Sequence, residues 1–132
     1  MMRFLWLALA LLLPLAVQAA GGAWQGSAAG VALSNRGVEA ASAPISPPDP
    51  ISGVMTLIYW RFELTGPQPA GLQVKLCSST RCTSIEGASG ATRGLTNVAA
   101  GDTLRFIYSV PGQGRLFPVL RVRSNQVMVN YQ

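Results

Sequence analysis

Cys77 and Cys82 are the two cysteines of this 132-residue chain, and the run Cys77-Ser78-Ser79-Thr80-Arg81-Cys82 is its clearest place for covalent chemistry. An even cysteine count in an exported chain reads as one disulfide, because thiols oxidise outside the cytoplasm. Closing so short a loop is worth only about 2 kcal/mol of unfolded-chain entropy, so such a bridge pins a turn rather than the whole fold. A redox-active pair is the alternative, but the spacing is not Cys-x-x-Cys and no histidine stands beside either thiol.

The chain contains no histidine. That removes the commonest general base and the commonest metal ligand, and with them any Ser-His-Asp or Cys-His site and any ordinary zinc site. Paired carboxylates can serve glycoside hydrolysis, but the five acids, Glu39, Asp49, Glu63, Glu86 and Asp102, form no motif. Glu63 alternates outward beside Arg61, and Asp102 sits in a turn where Asp commonly bonds its own backbone. No catalytic residue, metal ligand or cofactor-binding residue is assigned, and the expectation is a protein that is not an enzyme. Gly112-Gln113-Gly114 joins two strand-like runs and opens no helix, so it reads as a hairpin turn and not as a phosphate loop.

What remains is chemistry of recognition. Arg121 and Arg123 stand two residues apart on one strand face and make a small cationic ridge, which suits an acidic partner or an anionic lipid surface. Phe117 and Val119 share that face, and apolar groups beside arginine are interface-like. The competing readings are a solvated face whose charges discourage aggregation, or a face covered by the N-terminal segment around Trp24. Trp24, Trp60 and Tyr108 are candidates for a sugar-binding platform, although aromatic residues of a small β domain belong more often to its core.

The elements that must carry these residues are strands. Glycine and proline punctuate the chain every eight to twelve residues, and alternating runs rich in Val, Ile, Leu, Phe, Tyr and Trp lie between them. That pattern predicts an all-β fold, a single small antiparallel β-sandwich of about seven or eight strands. Residues 54–64 form the clearest strand, with even positions facing the core throughout and odd positions buried at the start and wet at the end. Leu72, Val74 and Leu76 alternate into the cysteine turn, and a disulfide across a hairpin mouth fits there. A weak strand ends near Val98. Leu104, Phe106, Tyr108 and Val110 line one side of the next run. Leu116, Leu120 and Val122 point inward from a run that Pro118 marks as an edge strand or a bulge. After a break at Ser124-Asn125, Val127, Val129 and Tyr131 define a last strand. Residues 38–43 have the composition of a helical turn, which Pro44, Pro47, Pro48 and Pro50 stop. Residues 43–50 read as an extended loop crossing between sheets.

Residues 1–19 read as a secretory signal peptide: Arg3 is a positive start, residues 4–17 are apolar, and Val17-Gln18-Ala19 is a small-x-small cleavage signal before Ala20. An uncleaved anchor would need about 20 consecutive apolar residues, and Pro14 interrupts this run. No cysteine follows it for lipid attachment. Stable membrane insertion is not expected, and residues 20–132 form the expected β-sandwich domain. Arg3 falls in the leader, which leaves nine cations against five acids, a net charge of +4. The cations are scattered rather than clustered, so nucleic acid is not an expected partner.

Gly22-Ala23-Trp24-Gln25, the block at residues 52–57, Trp60-Arg61, Gly66-Pro67, residues 69–72, the cysteine hairpin, Gly114-Arg115-Leu116, and residues 124–127 and 129–131 together resemble the flagellar protein FlhE family. The resemblance spans nearly all of the chain beyond the leader. It implies a small periplasmic accessory protein of Gram-negative bacteria that influences flagellar export or assembly without entering the filament. A flagellar rod or export-apparatus protein is the partner this implies. It brings no catalytic residue and no cofactor.

Overall fold

A computed structural model describes residues 21–132; the expected leader, residues 1–19, and its cleavage point before Ala20 lie outside the described residues. Nine strands and no helix occur among those residues: β1 (Gly22–Ala29), β2 (Ala32–Asn35), β3 (Glu39–Ala41), β4 (Met55–Leu64), β5 (Gln73–Cys77), β6 (Cys82–Ile85), β7 (Ser89–Thr92), β8 (Arg105–Ser109) and β9 (Arg115–Tyr131). One sheet has the order β1-β9-β4-β7, with β2 also on β9, and the other has the order β3-β8-β5-β6. Neighbouring strands are antiparallel in both. The described residues form an all-β sandwich.

Alternation explains which residues close it. Ile58, Trp60 and Phe62 of β4 and Val127 and Val129 of β9 face Val74 and Leu76 of β5 and Phe106 and Tyr108 of β8 in one continuous apolar core. Phe62 bridges the layers, its ring edge-on to Tyr108 at 5.4 Å and to Phe106 at 6.4 Å between centroids. Residues 43–50 run from β3 in the second sheet towards β4 in the first, and Ile45 bridges to Leu104 on the way.

β9 is the spine. β1 and β2 run along it in one register, from Gly22 opposite Tyr131 to Leu33 opposite Leu120, so they behave as one long strand joined at Gly30. A Cβ on Gly30 would stand 1.3 Å from the Val122 carbonyl oxygen, so the close approach of the two backbones admits only glycine.

Several local expectations are corrected. The break at Ser124-Asn125 is absent: both lie within β9, and Asn125 is fully buried. Here Glu63 pairs with Ser124 but Leu64 with Val122, so Arg123 is an extra residue and the inward positions pass from Leu120 and Val122 to Asn125 and Val127. A second irregularity alters the start of β4. Met55 pairs with Tyr131 and Ile58 with Val129, an extra residue that turns Met55 into the core and leaves Thr56 and Val54 only partly buried.

Residues 38–43 contain strand β3 and no helical turn, because pairing with β8 satisfies their backbone. The strand expected to end near Val98 is instead β7, followed by turns in which Thr96 N and Oγ1 both donate to Arg93 O, at 3.1 and 2.6 Å. Such local bonds compete with a ladder. Gly112-Gln113-Gly114 is not a hairpin turn, since β8 and β9 belong to different sheets and the loop crosses between them. Beside it, β2 and β3 make the same crossing, with Arg36 N donating to Gly114 O and Gly37 N to Val110 O, both at 2.8 Å.

Candidate functional site

Cys77 and Cys82 are cross-strand partners at the mouth of the β5–β6 hairpin and are joined as a disulfide. Ser78 Oγ accepts from the amides of Thr80 and Arg81 at 3.2 and 2.9 Å, which closes the turn. Ser79 donates through N and Oγ to Asp102 Oδ2 at 3.1 and 2.7 Å, while Thr103 N donates to Oδ1 at 2.8 Å. Asp102 thus spends its carboxylate on tying the disulfide loop to the next turn. Glu63 is held by Arg61 at 2.9 Å on the outside of β4. Neither acid is brought beside the other, and among the described residues no group of three potential metal ligands assembles.

The three aromatics considered as a sugar platform are core. Trp24 is 4% exposed, and its indole N–H donates to Ala100 O at 2.9 Å; Trp60 donates to Gly87 O at 3.1 Å. Tyr108 is fully buried, and its hydroxyl donates to Asn125 Oδ1. Burial pushes the Tyr108 phenol well above its ordinary range. An aromatic that does face solvent is Tyr59, 47% exposed, in an open depression of about 420 Å³ with Gln25, Arg61, Gln126 and Met128 around it. Period-2 reading places Tyr59 on the wetter side of β4. What it cannot supply is the row Gln25–Met128–Tyr59, which arises from the pairing of β1, β9 and β4.

Arg121, Arg123 and Phe117 lie on the solvent side of β9. The N-terminal segment does not cover that face: β1 pairs beside β9, Trp24 turns into the core, and Phe117 is 73% exposed. Pro118 stands in a bulge, as its missing N–H implies, because Leu33 pairs with Leu120 but Asn35 with Arg115. Five residues of β9 advance the ladder there by two residues of β2, and the excess carries Phe117 outward. The same register adds neighbours that residue spacing did not reveal. Arg115 and Arg36 join the ridge, with Arg36 Nη1 donating to Arg115 O at 2.9 Å, and Val38 is 49% exposed close by in sequence.

Among the described residues β1 is also a sheet edge, since there it pairs with β9 alone. Its eight residues, Gly-Ala-Trp-Gln-Gly-Ser-Ala-Ala, contain no charge and no proline.

Comparison with known proteins gives one consistent answer. The family model described as "Flagellar protein FlhE" matches residues 30–132. Flagellar protein FlhE of Salmonella typhimurium is 61% identical over 128 residues, covering 96% of this chain and 98% of that protein. The Escherichia coli protein of the same name is 54% identical, covering 92% and 95%, and that of Yersinia enterocolitica is 42% identical, covering 92% and 88%. The crystal structure of FlhE superposes with a TM-score of 0.84 at 58% identity, covering 86% of this chain and 99% of that one. The chain therefore belongs to the FlhE family of flagellar proteins.

Proposed function

We propose that this protein is a non-enzymatic accessory of flagellar export or assembly, working in the periplasm as a chaperone-like or regulatory binder of a flagellar component. Family membership supports the flagellar process. The leader expected over residues 1–19 and the single disulfide support an oxidising compartment. The observation that carries the binding mode is β1: an eight-residue edge, paired on one side, without the charges or prolines that usually blunt such edges. An extended segment of a rod or export-apparatus protein would add to it as a further strand, with backbone hydrogen bonds supplying affinity. Holding that segment restrains premature or misplaced assembly.

Deleting the gene is expected to change swarming or the placement of flagella, and a mutant with wild-type flagellation and motility would overturn the reading. A photo-crosslinker at Gln25 or Ser27 should capture a rod or export protein in living cells, whereas one at Lys75 in the other sheet should not.

A second reading, a peptidoglycan-binding module, draws on the Tyr59 depression, where an exposed aromatic ring stands among the side chains of Gln25, Gln126 and Arg61. It requires saturable retention on purified cell wall that Tyr59→Ala abolishes. Trp24, buried in the core, has no part in it.

A further inference from the structure

We infer that the β2–β9 end of the sandwich is a docking surface for an anionic lipid membrane, with Phe117 as the inserted residue and Arg36, Arg115, Arg121 and Arg123 as the groups that hold the headgroups. The charge arrangement is unbalanced. Four of the nine cations beyond Arg3 belong to this end, three on β9 and Arg36 held on the Arg115 carbonyl, and the one ion pair among the described residues, Arg61–Glu63, lies on β4. Of the acids, Glu39 opens β3 beyond Val38, and Glu63 is opposite Ser124 but engaged by Arg61. Arg121 stands opposite Ala32, and the Arg123 carbonyl takes the Gly30 amide at 3.2 Å, so on the β1–β2 side only small uncharged residues stand beside the two arginines.

The shape favours lipid over an acidic protein. Protein interfaces centre on buried aromatics within a broad complementary patch. Here a single aromatic, 73% exposed, rides on a backbone bulge at the end of a narrow cationic ridge, and the half-exposed Val38 follows two residues after Arg36. An apolar residue flanked by arginine matches a headgroup layer over an acyl boundary, where the ring enters and the guanidinium groups stay with phosphate. Arg36 is fixed for this role: its side chain crosses Gly112 and donates to Arg115 O at 2.9 Å.

The inference stands apart from the proposed capture of a flagellar segment, because it uses the opposite end of β9 from most of the β1 pairing and is read without any flagellar partner. The test is cosedimentation of the mature protein with vesicles of mixed phosphatidylglycerol and phosphatidylcholine, and with vesicles of phosphatidylcholine alone. Binding is expected only to the anionic vesicles and should fall as salt rises. Arg121→Gln with Arg123→Gln should weaken it roughly thirty-fold, and Phe117→Ser should weaken it while leaving the melting temperature unchanged. Lys75→Gln with Arg105→Gln, the same charge loss on the other sheet, should leave it intact. Equal binding to both vesicle types, or equal loss in the two double variants, would overturn the inference. So would indifference to anionic vesicles combined with ridge-dependent binding to polyglutamate, which would assign the face to an acidic protein instead.

Discussion

Tyr108 and Asn125 form the polar centre of an otherwise apolar core. The phenol donates to Asn125 Oδ1, the Asn125 amide donates to Ala28 O at 3.4 Å, and no buried side-chain polar atom among the described residues lacks a partner. One pair therefore links β8 in one sheet to β9 and β1 in the other. Tyr108→Phe removes the donor and leaves an amide oxygen buried without a partner, which should cost about 1–3 kcal/mol in denaturant unfolding. The same residue sets an alkaline limit. Burial raises its native pKa above the ordinary 10.0, so below that value both states keep the proton and the contribution is whole. As pH rises past it, the unfolded chain ionises first and stability falls. Comparing wild type with Tyr108→Phe across that range should show a steeper alkaline loss in wild type. Sequence reading placed Tyr108 in the core because its neighbours alternate. It read Asn125 as a loop residue, because the partner that makes a buried amide tolerable is 17 positions away.

Among the elements, the β5–β6 hairpin is the most locally specified: its alternation, its turn and its cysteine pair all lie within 13 residues, and register and disulfide agree. Its stability should depend only modestly on the bridge. Cys77→Ala with Cys82→Ala is expected to lower unfolding free energy by about 2 kcal/mol while near-ultraviolet circular dichroism shows a retained core, since Ser78 and Asp102 still close and anchor the loop. β9 is the contrary case. Its first half reads as an edge strand or a bulge because Pro118 has no N–H for a ladder, and the run reads as two strands because Ser124-Asn125 is polar. It is continuous because β1, β2 and β4 supply partners along its length. The candidate surface follows the same division: Arg121, Arg123 and Phe117 were legible from spacing, whereas Arg36 and Val38 joined them only through the pairing of β2 with β9 and its crossing into β3.

At the scale of the molecule, closure depends on joining the two ends of the described chain. Gly22 is opposite Tyr131 and Trp24 opposite Val129, so the first strand has no partner until the last is made. Removing residues 127–132 takes Val127 and Val129 from the core and strips most of β1 of its ladder. That truncation is expected to abolish near-ultraviolet circular dichroism and protease resistance, and a folded product would show that β4 and the second sheet close the core without β9.

The sequence by itself determined the class of fold, the inward residues of most strands and the cysteine hairpin, because each rests on a two-residue period or a short loop that a few neighbours define. Tertiary structure alone decided the rest. The extra residues at Met55–Ile58, at Arg123 and around Pro118 are relations between two strands, not properties of either, and each shifts which side chains face the core. The crossing from β8 to β9, the depression at Tyr59 and the four-arginine ridge likewise exist only once distant segments pair, since a strand's neighbours are chosen by the surface they jointly bury.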